Sequence, residues 1–199
     1  MYIHGGDSFT SQDDFLADLR KRIVRDPFGE EKKTIWAENL RDDLGQDFQV
    51  LMPQMPNKQN VKYLEWKIWF ERYFEFLHDE VVLIGWSLGG MFLAKYLSEE
   101  EFSVRIKAVY LLAAPSGNYV GEGGNDCSSL HFSMSSLVNL TKKTSKVSIW
   151  HSEDDFIVPY QEALLYKNYL KGADFVGFTD KNHFLVSELP ELINSIKNL

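Results

Sequence analysis

Along this chain, short unbroken apolar runs alternate with longer stretches in which apolar residues recur every three or four positions. Runs of the first kind suit strands buried on both faces of a parallel sheet, and stretches of the second kind suit helices lying over it. Six runs read as strands: 1–3, 48–52, 81–84, 106–114, 146–151 and 173–178. Ser11-Gln12-Asp13-Asp14 resembles a capping box, and Phe15, Leu16, Leu19 and Ile23 behind it form the inward face of a helix that Pro27 and Gly29 terminate. Trp36, Leu40 and Leu44 mark a second helix, with Gly45 as its stop.

A longer helix carries Tyr63, Trp66, Phe70, Tyr73, Phe74 and Leu77 on one arc, which reads as packing against the sheet, with Trp69 and Phe76 off that arc. Apolar helix-formers resume at Leu88, and further helices are predicted over 160–170, opened by Pro159, and after Ser187 as a cap, with Leu189, Leu192, Ile193, Ile196 and Leu199 inward. Ser116–Ser129 is a long irregular stretch, expected to form part of a substrate wall. The alternation predicts one α/β domain over residues 1–199: a three-layer α/β/α arrangement around a mostly parallel six-stranded sheet.

Composition narrows the function. A net charge of −8 on 199 residues repels phosphates, which argues against nucleic acid or an anionic membrane as partner. The single cysteine, Cys127, excludes an internal disulfide and fits a reducing compartment. No apolar run approaches the ~18 residues of a membrane span, and Met1 leads straight into a strand, so a cytoplasmic location is expected. Nothing has the spacing of a structural zinc site, no metal or other cofactor is implied, and oligomeric state is open.

The chemistry gathers around Gly85-Trp86-Ser87-Leu88-Gly89, where an apolar run stops at a glycine and a helix begins two residues past the serine. This is the pattern of a nucleophile elbow, with Ser87 exposed at a sharp strand-to-helix turn. In such sheets function collects at the carboxyl ends of strands, and two more loops there carry Glu153-Asp154-Asp155 and His183. Serine, acid and histidine fall in the chain order of that arrangement. Of the other histidines, His78 precedes the elbow strand, His151 would lack an acid in the expected place, and His4 and His131 come before the acidic loop. Asp155 is favoured as the acid because Val158-Pro159 opens the next helix three residues on, with Asp154 as the alternative. The oxyanion donors are expected to be the N–H groups of Leu88 and of Gly6, in the loop His4-Gly5-Gly6 after the first strand. Cys127 and His131, lacking a third partner, read as structural.

The constellation resembles the α/β-hydrolase fold and, within it, is similar to the small serine hydrolases of the retinoblastoma-binding-protein type and their bacterial relatives. The residues carrying the likeness are His4-Gly5, Met55-Pro56-Asn57, Trp66, Gly85 to Gly90, Asp155 with Val158-Pro159, and His183-Phe184. Departures are Trp86, where a histidine is common, Asn182, where a glycine often precedes the base, and an extra helix after His4-Gly5. The expected activity is cleavage of a small acyl substrate, an ester above all, through an acyl-enzyme on Ser87. The rival readings are an interaction module on a hydrolase scaffold and a thioesterase or acyltransferase.

Overall fold

The structure is a computed structural model, and it describes residues 1–24, 34–121, 125–144 and 146–199. At its centre is a parallel sheet of five strands in the order β1-β2-β3-β4-β5: Tyr2–Ile3, Glu80–Trp86, Arg105–Leu112, Val147–Ser152 and Asp174–Phe178. The sixth predicted strand, 48–52, does not form. That segment runs beside β1 and is joined to it by one backbone bond, Tyr2 N–H to Leu51 C=O at 2.9 Å. A two-residue β1 offers too short an edge for a further ladder.

Around the sheet lie α1 (Gln12–Lys21), α2 (Trp36–Leu44), α3 (Tyr63–Arg72), α4 (Leu88–Glu99), α5 (Leu137–Lys143), α6 (Tyr160–Tyr169) and α7 (Pro190–Lys197). Because strand side chains alternate between faces, each central strand feeds two cores. Leu83, Val109, Leu111 and Ile149 join one core with residues of α3, α4, α5 and α6. Ile84, Tyr110, Leu112 and Trp150 join the other with residues of α2 and α7. Burial on both faces is why these strands read as unbroken apolar runs rather than alternating ones.

The aromatic arc of α3 packs as expected. Phe70 is fully buried, with ring centroids 5.1 Å from Phe74, 5.3 Å from Phe92 and 5.0 Å from Tyr96, all edge-on. The helix itself stops at Arg72, and a 3₁₀ turn over Tyr73–Phe76 completes the arc. Trp69 and Phe76 are exposed, as their positions off the arc imply.

Three local expectations are corrected. Ser11 caps α1, accepting from the Asp14 N–H, but the helix buries no residue and Ile23 lies past its end, 92% exposed. The predicted stops Pro27 and Gly29 fall outside the described residues. Ser187 does not cap the last helix: α7 begins at Pro190 with Leu189 as its N-cap, since proline's fixed φ and missing N–H suit the first helical position. Helix α5, unforeseen, lies between the irregular stretch Ser116–Ser129 and β4.

Phe70→Ala should remove about 3–5 kcal/mol of stability, lowering the thermal midpoint by roughly 10 °C in a domain of this size. Calorimetry checks this, and a loss below about 1 kcal/mol would contradict the packing role given to α3.

Candidate active site

Strand β2 ends at Trp86 and α4 begins at Leu88, so Ser87 alone makes the reversal. Its backbone lies at φ 56°, ψ −127°, a conformation that costs of order 1–3 kcal/mol and persists only where the surroundings enforce it. Here the Ser87 N–H donates to Leu112 C=O at 2.8 Å, and its own C=O accepts from Gly90 and Met91 at 2.9 and 3.2 Å. The flanking glycines are demanded by contact. A β-carbon on Gly85 would sit 2.6 Å from Gly90, and one on Gly89 would sit 2.2 Å from the Ile3 carbonyl oxygen.

The loop after β1 approaches equally closely. A β-carbon on Gly5 would lie 2.9 Å from that of Ser87, and one on Gly6 would lie 2.4 Å from the Lys58 carbonyl. His4 sets this loop. Its Nε2 accepts the Met55 N–H at 2.9 Å, so Nδ1 carries the hydrogen and donates to Gly5 C=O at 2.7 Å. Burial, the largest influence, pushes the His4 pKa down, in keeping with this neutral form. Gly6, Ser87 and Leu88 line one open cleft of about 710 Å³, walled also by Pro115, Tyr119, Phe156 and Ile157. Leu88 is the first residue of α4, where helix N–H groups have no preceding turn to bond.

The structure brings Asp155 and His183 together: His183 Nδ1 lies 2.8 Å from Asp155 Oδ2. The other carboxylate oxygen, Oδ1, accepts the N–H groups of Ile157 and Val158 at 2.8 and 2.9 Å. Burial by itself would raise the Asp155 pKa. Hydrogen bonds from His151 and His183, the nearby imidazole charge and the Val158 N–H outweigh it and hold the carboxyl well below the usual range. A carboxylate cannot donate, so the proton of the shared bond sits on His183 Nδ1, and in the neutral imidazole Nε2 keeps a free lone pair.

The His183 loop is tied down from several sides. Asn182 and Phe184 flank His183 at φ 39° and 53°. Asparagine tolerates this left-handed region, which accounts for its place where a glycine is frequent. Trp86 Nε1 donates to His183 C=O at 2.9 Å, and Trp36 Nε1 to Phe184 C=O at 3.1 Å. The indole at position 86 thereby fastens the loop to the residue next to Ser87. Asp154 is engaged otherwise than as the imidazole's partner: its Oδ1 accepts the Asn182 N–H at 2.8 Å and the Ser152 hydroxyl. Glu153 is exposed. Among the described residues, Ser87 Oγ makes no hydrogen bond, while the His183 imidazole is bonded to Asp155 through Nδ1.

Sequence reasoning set His151 aside for want of an acid, and the structure corrects that. His151 is fully buried, with Nε2 3.3 Å from Asp155 Oδ2. A histidine four residues ahead of the acid, at a strand end, was the available signal. Cys127 and His131 do not pair. Cys127 Sγ lies 3.6 Å from Asn125 Oδ1, and His131 Nε2 meets the Tyr119 carbonyl at 2.9 Å. Burial above all, with Asp126 and Asp7 nearby, pushes the Cys127 thiol up to about 12, unsuited to nucleophilic work. Among the described residues, no group of three His, Cys, Asp or Glu could hold a metal ion, and no helix is long and apolar enough to cross a membrane.

A parallel sheet with a serine elbow after β2, and loops bearing an acid and a histidine after β4 and β5, defines an α/β-hydrolase fold. Solved structures agree. The ydeN gene product of Bacillus subtilis matches with a TM-score of 0.71 at 17% identity, over 99% of this chain and 95% of that one. A meta-cleavage product hydrolase from Pseudomonas fluorescens matches at 0.63 and 15%, over 99% and 88%. Est1E from Butyrivibrio proteoclasticus matches at 0.58 and 15%, over 99% and 84%. Comparison with curated protein sequences gives no match. Residues 23–190 match the profile of the serine hydrolase family, and the chain belongs to that family.

The depressed carboxyl predicts a sign for acid sensitivity. A group whose pKa is lower folded than unfolded contributes stability that is present above its unfolded value, about 3.9, and is lost as the pH falls through the folded value. Asp155→Asn should therefore be less stable than the parent at pH 7, by a margin that narrows below about pH 4. Urea unfolding at pH 7, 5 and 3 tests this, and a margin that stays constant or widens on acidification would contradict it.

Proposed function

We propose that this protein is an esterase-type serine hydrolase in which Ser87 attacks, His183 moves the proton and Asp155 holds the imidazole. The observation carrying this reading is the 2.8 Å contact between His183 Nδ1 and Asp155 Oδ2 at the rim of the sheet where Ser87 lies. With Nδ1 committed to the carboxylate, Nε2 is the nitrogen able to accept the hydroxyl proton.

Substrate in the cleft brings a carbonyl carbon against Ser87 Oγ as His183 Nε2 takes up the hydroxyl proton. Catalytic hydrogen bonds often tighten only with substrate bound, consistent with the unpaired serine seen here. Attack forms a tetrahedral intermediate whose oxyanion faces the N–H groups of Leu88 and Gly6. One such donor is worth on the order of 3 kcal/mol. The imidazolium then protonates the leaving alkoxide, giving an alcohol and an acyl-serine. Water, deprotonated by His183, releases the acid by the same steps in reverse order. Asp155 stays ionised throughout and stabilises the imidazolium.

The open cleft, with no cap domain over it among the described residues and with exposed Val120, Phe156 and Ile157 about it, supports small, uncharged acyl groups as substrates. Ester rather than thioester preference is part of the proposal, and parallel rates on matched oxygen and sulfur esters decide it.

Ser87→Ala should abolish hydrolysis of a short-chain nitrophenyl ester while the thermal midpoint stays within a few degrees of the parent. Full activity in that variant rejects the assignment. A parent protein that neither turns over such esters nor reacts with a fluorophosphonate favours a scaffold whose site is inert.

A further inference from the structure

His151 is the one buried imidazole at this site to which the proposed chemistry gives no task. It occupies the next-to-last position of β4, opposite Gly177 of β5, and is fully buried. Its Nε2 has two neighbours, Val158 C=O at 2.8 Å and Asp155 Oδ2 at 3.3 Å. Both are acceptors, so Nε2 must carry a hydrogen, which bonds the Val158 carbonyl and lies close beside Asp155 Oδ2. The other nitrogen, Nδ1, is buried with no partner among the described residues.

That orphan is informative. A buried polar atom without a partner costs on the order of 1–3 kcal/mol, and a phenylalanine in the same slot would pack against the Tyr160 ring, 5.7 Å away and edge-on, at no such cost. What the histidine gains in return lies at Nε2. Val158 donates its N–H to Asp155 Oδ1 and accepts from His151, so the imidazole ties the turn carrying the acid to a rigid strand. Asp155 Oδ2 sits between two imidazoles, and Oδ1 between two backbone N–H groups. These contacts meet the carboxylate on both oxygens and oppose its turning away from His183.

We infer that His151 is a positioning residue: its Nε2–H fixes the Asp155 carboxylate in the orientation that holds His183 ready to accept the serine proton. This rests on the reading of Asp155 and His183 as acid and base.

Two substitutions separate this role from plain packing. His151→Phe keeps a ring against Tyr160 and loses the donor. His151→Gln sets an amide N–H where Nε2 lies. On a short nitrophenyl ester, His151→Phe should lower kcat by about 10- to 100-fold, the loss expected when a catalytic group is slightly misplaced, with KM little changed and the thermal midpoint within a few degrees. His151→Gln should recover most of the lost kcat. Parental kcat in His151→Phe, or equal losses in both variants, overturns the inference.

A second arm needs no turnover. In a Ser87→Ala background, the His183 Nδ1–H proton should appear far downfield in ¹⁵N-edited spectra and broaden or shift upfield on adding His151→Phe. An unchanged resonance overturns the role of His151 even if no ester is cleaved. Absence of turnover with a responsive resonance faults the proposed reaction instead.

Discussion

The structure depends on one close approach, that of the first turn of α4 to the end of β1. The Ile3 carbonyl comes so near Gly89 that no β-carbon fits between them, and Gly5 comes equally near Ser87. These contacts hold Ser87 in a backbone conformation it would not otherwise adopt. The same approach sets the start of α4 beside the His4-Gly5-Gly6 loop, and Gly6, Ser87 and Leu88 line one cleft. The strain at the serine and the closeness of the two loops at the cleft are thus consequences of the same packing.

At the same end of the sheet, in the loops after β4 and β5, the organising constraint is electrostatic. A carboxylate without solvent contact must have its charge met by donors, or it takes up a proton. Asp155 meets this requirement with backbone N–H groups from its own turn and with two histidines, one from β4 and one from the loop after β5. Satisfying the carboxylate and orienting the His183 ring are therefore one arrangement. Trp86 links the serine turn to the histidine loop, because its backbone precedes the serine and its indole N–H holds the His183 carbonyl. A histidine is common at this position among similar hydrolases. The indole here reaches the loop directly.

Much of this was legible in the sequence, because it depends on local pattern. The elbow declares itself through glycine spacing between an apolar run and a helix, and the order of serine, acid and histidine follows the chain. Doubly buried strands and the aromatic arc of α3 are likewise written in periodicity. What escaped depends on neighbours distant in sequence. The segment 48–52 has strand composition, yet a ladder needs a long enough partner, and β1 presents only Tyr2 and Ile3. The apolar residues of α1 predict burial, but the helix finds no core to cover. Asp155 is favoured over Asp154 by its spacing to Val158-Pro159, but the loop atoms each one reaches become visible only in the fold. The place of His151 follows from the turn at 155–158 folding back onto β4, which no periodicity encodes.

The central claim, that the hydroxyl at position 87 is activated by the imidazole at 183, is tested most directly by trapping the nucleophile. After exposure of the purified protein to an organophosphonate ester, peptide mass spectrometry should find a single phosphonyl adduct, on Ser87, forming far more slowly in a His183→Ala variant. An adduct elsewhere, or one forming on Ser87 at the same rate without the imidazole, would contradict the account.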